Sequence, residues 1–330
     1  MESELMAGES AGKALNSPRI VFMGTPEFAV ASLDALVKNG FNVVGVVTAP
    51  DRPAGRGMQL QQSAVKQYAL QHGLPVLQPE KLRDPEFLEA LDQWKPDLQV
   101  VVAFRMLPEI VWNRPPMGTV NVHGSLLPNY RGAAPINWAV INGESETGVT
   151  TFKLQHEIDT GNILLQASMP IGENENAGSV HDRMKELGAD TLVSTVRGLI
   201  DGTLKERPQD ELIPPGQELH KAPKIFTETC EINWQLPVDR IFNLVRGLSP
   251  YPGAFTHLEG KMLKVFAARK TNESPSVKAG EFETDGKNWL RFAAPDGYLY
   301  MEELQLQGKK RMQVADFLRG YRFSTQSRNS

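Results

Sequence analysis

Asn121 and His123 stand two positions apart in the run TVNVH, and Asp159 stands further on in a second polar stretch, QHEIDTGNIL. An extended strand sends alternate side chains to opposite faces. Thr119, Asn121 and His123 therefore share one face, and Val120 and Val122 the other. A carboxylate beside an imidazole can orient the ring and support its charged form during proton transfer, and an amide can donate to an oxygen that develops negative charge. Together these residue types suit acyl or one-carbon transfer without a covalent serine or cysteine intermediate. Each also has a plainer reading. A histidine at a strand end can be a satisfied structural residue, and an aspartate before Thr160-Gly161 can serve as a turn or helix cap. Spacing alone leaves both readings open.

Such groups need a frame. RIVFMG (Arg19 to Gly24) is an apolar run ending in glycine, and TPEFAVASLDALVKNG after it carries apolar residues at helical spacing. This helix is expected to be capped by Thr25, with Pro26 in its first turn and Gly40 closing it. FNVVGVVTAP reads as a second strand, so the chain opens with a βαβ unit. SAVKQYALQHG and DPEFLEALDQW read as helices, PVLQP as a short strand, and DLQVVVAF (Asp97 to Phe104) as a strand buried on both faces. The fold class expected is α/β, a doubly wound, mostly parallel, Rossmann-like sheet, whose reactive groups gather at the carboxyl ends of strands. A single glycine follows the first strand, in MGTPEF, where a dinucleotide site would carry GxGxxG. A nicotinamide or flavin cofactor, and with it a dehydrogenase, is disfavoured.

The chain has 330 residues, 41% hydrophobic and 22% charged, which suits two globular domains. Its one cysteine, Cys230, excludes a disulfide framework or a multi-thiolate zinc site, and the histidines lack paired metal-ligand spacing, so no metal is expected. No apolar run approaches membrane-spanning length, and the opening MESELMAGESAGKALNSP resembles neither a secretory nor an organelle leader. A cytoplasmic monomer is expected, with a disordered tail over residues 1 to 17 and a catalytic domain from 18 to 204. A proline-rich linker is expected over 205 to 223. From 224 to 330, short alternating runs (AFTHL, MLKVFAARK, WLRFAA, YLYMEELQL) separated by turns such as Asp285-Gly286 and Asp296-Gly297 predict a small OB-like antiparallel barrel. Net charge is −4, which argues against a generic nucleic-acid coat, but from Arg207 onward basic residues slightly outnumber acidic ones.

NVHGSLLPNYRGAAPINWAVINGE followed by TGVTTFKLQHEIDTGNIL resembles the signature of the folate-dependent formyltransferases. VFMGTPEFAVASLDAL, VVTAPDRPAGRG, VVAFRMLP and INWQLPVDRIFNLVRGLSPYPGAFT extend the likeness toward the members that act on methionyl-tRNA. That resemblance implies transfer of the formyl group of 10-formyltetrahydrofolate to the α-amino group of methionyl initiator tRNA, in translation initiation. It assigns Asn121, His123 and Asp159 to catalysis. It assigns Ser125, Leu126, Leu127 and Pro128 to a wall of the cleft. The folate is expected against Phe104, Arg105, Met106 and Leu107 on one side and His156, Glu157 and Ile158 on the other. The commoner family pattern has Tyr-Gly where this chain has Phe104-Arg105.

For the tRNA, the resemblance points to the loop DRPAGRGMQLQQS with Arg52 and Arg56, where the family usually has two lysines in place of Met58-Gln59. Arg131 lies among small neighbours, Gly132, Ala133 and Ala134, and either meets the substrate's terminal phosphate or buttresses its loop. In the second domain Arg246, Lys261, Lys264, Arg269 and Lys270 are expected at the RNA backbone, with Lys309-Lys310-Arg311 as a solvated turn. The nearest alternative is a formyltransferase acting on an amino-sugar nucleotide, which would keep the catalytic set but need no tRNA-gripping barrel. A folate- or RNA-binding module that has lost catalysis is a further rival.

Overall fold

In the computed structural model, residues 17–54, 59–216 and 218–324 are described. The tail expected over residues 1–17 thus lies outside them except for Ser17, as does Arg56.

The first half alternates strand and helix. The chain runs through β1 (Ile20–Gly24), α1 (Glu27–Lys38), β2 (Val43–Val47), β3 (Arg52–Ala54), β4 (Gln59–Gln61), α2 (Ala64–Gln71), β5 (Val76–Leu77), α3 (Pro85–Gln93), β6 (Leu98–Val102) and α4 (Glu109–Trp112). It continues through β7 (Thr119–His123), β8 (Arg131–Gly132), α5 (Pro135–Ile141), β9 (Glu146–Lys153), β10 (Ile163–Pro170) and the long α6 (Ala177–Ile200). Seven of the strands form one sheet in the order β10-β9-β7-β6-β1-β2-β5, with β9 and β10 antiparallel and the rest parallel. Period-two alternation divides β1 between two cores. Ile20 and Phe22 pack with Leu33 and Leu36 of α1 and Met184 and Leu192 of α6, while Val21 and Met23 pack with Leu88 and Leu91 of α3. The doubly wound sheet is therefore present. The α1 start differs from expectation: Pro26, not Thr25, is the cap, and no side chain bonds there.

Beyond α6 come a 3-10 turn (Gln209–Leu212), β11 (Lys221–Ala222), a second 3-10 turn (Thr227–Cys230), α7 (Val238–Gly247), β12 (Ala254–Leu258) and β13 (Lys261–Thr271). Then follow β14 (Phe282–Thr284), β15 (Leu290–Ala294), β16 (Gly297–Leu306), β17 (Met312–Gln313) and α8 (Val314–Gly320). The late strands form an antiparallel half-barrel, β12-β13-β16-β15-β14 with β17 on β16, consistent with the OB-like expectation. Register shifts around Ala267 let the long β13 bend. The sheet closes over Ile241, Phe242 and Val245 of α7 and Phe317 and Leu318 of α8.

The two halves meet through α5 and α7. Gly247 has no Cβ because one would stand 2.4 Å from Ile141 Cγ1 and 2.9 Å from the Ile141 nitrogen. Asn137 Nδ2 donates to Gly247 O at 2.8 Å across this contact. Since α5 begins beside the polar strand end of β7, the position of the half-barrel is tied to the site described next.

Candidate active site

The carboxyl end of β7 delivers Asn121 and His123 to a cavity of about 630 Å³, and the loop after β9 delivers Asp159 to the same wall. The alternation of β7 explains the shared direction: Val120 and Val122 are both committed to the core beneath α6. His123 is 7% exposed, so its ring is nearly dry. Its Nε2 donates to Tyr130 O at 2.9 Å, which leaves Nδ1 facing Asp159 Oδ2 at 3.8 Å. A proton arriving at Nδ1 therefore meets a carboxylate. The same Oδ2 accepts from the Gly132 nitrogen at 2.9 Å.

Asp159 holds a left-handed backbone, φ +56. Such a conformation costs a non-glycine residue on the order of 1 kcal/mol and persists only where surrounding structure imposes it. Gln209 imposes it here: its Nε2 donates to Asp159 O and Gly161 O, both at 2.8 Å. Gly161 is itself obligatory, since a Cβ there would stand 1.7 Å from Lys153 O. Gln209 is 3% exposed, and its Oε1 accepts from Arg131 Nε at 3.0 Å and Nη2 at 2.7 Å. Of the two readings of Arg131, the hydrogen bonds support the buttress. They also correct the linker expectation for this segment. The stretch after Ile200 carries a buried site residue, and its β11 pairs in parallel with β8 beside His123 and Asp159.

Phe104, Arg105, Met106 and Leu107 line the cavity on one side, and Gln155, His156, Glu157 and Ile158 on another. Met106 and Ile158 are 78% and 64% exposed, which leaves apolar surface for a flat ligand to cover. Arg105, the departure from the commoner pattern, donates through Nη1 and Nη2 to Glu80 O and Pro79 O, while its buried Nε has no partner. Burial also lowers its pKa from the ordinary arginine value.

Ser125, Leu126, Leu127 and Pro128 do not line this cavity, which corrects the expectation that they wall it. Ser125 Oγ donates to Asn129 O, Thr150 Oγ1 donates to Ser125 O and accepts from the Leu127 nitrogen, and Leu127 is buried with Phe152 and Ile163. The segment seals the seam between β7 and β9. Trp112, Phe28, His181, Asn137 and Gln209 were not expected at the site. The first four line the cavity from α4, α6 and the starts of α1 and α5. Nothing local in the sequence marks them, because their roles depend on helix docking.

The basic residues expected at RNA divide into two groups. Arg52 is exposed in the β3–β4 hairpin, whose base is pinned by Asp51 through Lys66 Nζ at 2.5 Å and Gln78 Nε2 at 2.8 Å. Lys261 is exposed on β13. Arg269 is exposed with its guanidinium 3.7 Å above the Tyr300 ring, and Lys264 donates to Pro252 O at 3.0 Å. Lys270 is paired with Asp239 and lies over Phe242. Arg246 contradicts its assignment. It is 7% exposed and donates to Gly172 O at 3.3 Å, Glu175 O at 3.0 Å and Asn243 Oδ1 at 2.8 Å, joining α7 to the loop before α6. A guanidinium so used has no free face for phosphate.

Known families give this geometry a context. Residues 18–196 match the formyl transferase family and residues 224–322 the formyl transferase C-terminal domain family. The methionyl-tRNA formyltransferase of Bacteroides fragilis is 55% identical over 308 residues, which is 92% of this chain and 95% of that protein. The chain belongs to the methionyl-tRNA formyltransferase family. Solved structures of more distant proteins share the fold. The sugar 3N-formyl transferase WlaRD aligns at TM-score 0.65 and 20% identity, covering 89% of this chain and 99% of that one. HypX from Aquifex aeolicus in complex with tetrahydrofolic acid aligns at 0.59 and 19%, covering 92% of this family member and 47% of that chain.

Proposed function

We propose that this chain transfers the formyl group of 10-formyltetrahydrofolate to the α-amino group of methionine esterified to initiator tRNA, acting as a cytoplasmic monomer. The observation that carries the reading is the convergence of Asn121, His123 and Asp159 on one cavity, in a chain that matches the B. fragilis enzyme along nearly its full length. The cavity fits a folate-derived donor: its volume is in the range of small-ligand sites, and Met106 and Ile158 offer apolar faces beside the unpartnered Nε of Arg105. Phe104 to Leu107 and His156 to Ile158 hold that donor.

The reaction forms a bond from the amine nitrogen to the formyl carbon and breaks the bond from that carbon to the folate nitrogen. Negative charge gathers on the formyl oxygen in between. Asn121 donates to that oxygen from the strand end. His123 receives the proton shed by the attacking nitrogen at Nδ1, because Nε2 is already committed to Tyr130 O. Asp159, 3.8 Å away, stabilises the imidazolium until the proton passes to the departing folate nitrogen. Gly132 and Gln209 hold the carboxylate and its backbone in place.

The test is formyl transfer from 10-formyltetrahydrofolate to charged initiator Met-tRNA, with an amino-sugar nucleotide in parallel. Product on the tRNA alone is expected. Product on the sugar alone would keep the mechanism and overturn the substrate.

A further inference from the structure

The loop from Leu248 to Gly253, between α7 and β12, is tied down on both sides of one free ring. Ser249 is 1% exposed, and its carbonyl accepts from the Gly178 nitrogen at 3.1 Å. Pro250 presses on the first turn of α6 so closely that a Cβ at Gly178 would stand 2.5 Å from its Cδ. The Pro252 carbonyl accepts from Lys264 Nζ at 3.0 Å, and the Gly253 nitrogen donates to Leu248 O at 2.8 Å. Between these anchors Tyr251 is 82% exposed, more than any other large hydrophobic side chain among the described residues. Among those residues its ring has no aromatic partner and its hydroxyl no hydrogen bond. The fold holds the backbone of Tyr251 firmly and makes no use of its side chain.

The position of the loop adds meaning. It begins directly after Gly247, whose carbonyl is bonded to Asn137, a residue of the cavity wall. It rests on Gly178, three residues before His181 on α6, and His181 also lines the cavity. Three helical residues rise about 4.5 Å, so the seat of the loop on Gly178 lies within one turn of α6 from a residue of the cavity wall.

We propose that Tyr251 is a stacking platform for a nucleobase near the aminoacylated end of the tRNA substrate. The inference rests on the functional reading above, since only an RNA-borne methionine brings a nucleotide strand toward this cavity. Every base presents a flat face, and a preheld tyrosine ring can stack on it without specifying sequence. The Lys264 ammonium, reaching the loop's Pro252 carbonyl from β13, offers a positive charge for the strand's phosphates. A protein partner would call for a broad contiguous apolar patch, and here a single ring stands between two prolines.

Full-length wild type, Tyr251→Ala, Tyr251→Phe and Tyr251→Trp would be compared in steady-state formylation of charged initiator Met-tRNA. Stacking of one base predicts that Tyr251→Ala raises the KM for Met-tRNA by roughly 5- to 100-fold. The KM for the folate and the thermal unfolding midpoint should stay at the wild-type values, and the Phe and Trp variants should restore the tRNA KM. An unchanged KM in the alanine variant would overturn the platform. So would a Phe variant as weak as Ala, which would reveal a hydroxyl hydrogen bond, or a lowered midpoint with loss spread over both substrates, which would reveal a structural role. If the wild type itself formylates only the sugar nucleotide, the substrate reading fails first and takes this contact with it.

Discussion

At the scale of single residues, the site depends on which atom of His123 is free. Tyr130 O occupies Nε2, so the chemistry falls to Nδ1 and to the carboxylate it faces. Replacing His123 with alanine should lower kcat by about 10²- to 10³-fold. Circular dichroism should keep the wild-type spectrum, and near-normal turnover would end the catalytic assignment. Gln209 acts one step away, through the backbone of Asp159 and the guanidinium of Arg131. Gln209→Ala removes hydrogen bonds each contributing about 0.5–1.5 kcal/mol, so a roughly tenfold fall in kcat is expected. The pH profile of kcat should move with it, because the proton site is no longer held in place. Gln209→Glu, which can still accept from Arg131 but cannot donate to Asp159 O, should resemble the alanine variant. A kcat and a pH profile equal to the wild type would remove Gln209 from the positioning of the site.

At the scale of elements, the short pairing of β8 with β11 carries more than its two residues suggest. Gly132 has φ +128, and a Cβ there would stand 2.3 Å from Ala222 O, so glycine is required by both conformation and space. Its nitrogen also holds Asp159. Gly132→Ala should therefore destabilise the fold by about 2 kcal/mol or more and reduce turnover over tenfold. Chemical denaturation read beside the formylation assay would check both losses, and a wild-type result in either would show that this strand pair yields more readily than its geometry implies. The α/β pattern itself was legible because Ile20, Phe22, Val100 and Val122 repeat with the period of buried strands. The cap of α1 was not, because Thr25 has the right side chain but the helix begins one residue beyond the reach of its cap. Likewise Ser125 to Pro128 belong to the motif, yet only the docking of β9 turned Thr150 toward them and made them a seam instead of a wall.

At the scale of the molecule, the two halves are locked by α5, α6 and α7. Arg246 is the polar bolt of that contact, bonding the carbonyls of Gly172, which also accepts from the Glu175 nitrogen, and of Glu175. Arg246→Ala leaves the Glu175 carbonyl without its partner, while Gly172 O keeps the Glu175 nitrogen, and should cost about 1–3 kcal/mol of stability. The unfolding midpoint in urea should fall accordingly. The salt dependence of tRNA binding should keep the wild-type slope, because no phosphate contact is lost. A shallower slope with unchanged stability would return Arg246 to the RNA surface.

The sequence by itself determined the class of fold, the half-barrel that follows it, and the pairing of Asn121 with His123, since each depends on local periodicity or on spacing along one strand. It also carried the family likeness, which rests on contiguous motifs. Only the tertiary structure decided which residues finish the site. Gln209 reaches Asp159 from 50 positions away in the chain, and Asn137 ties the cavity wall to α7 across 110. No short-range pattern can encode such a contact, because the bond exists only after helices and sheet have packed. The same limit misread Arg246: a basic residue on a helix looks alike whether its guanidinium faces solvent or a neighbouring loop, and burial is a property of the assembled molecule.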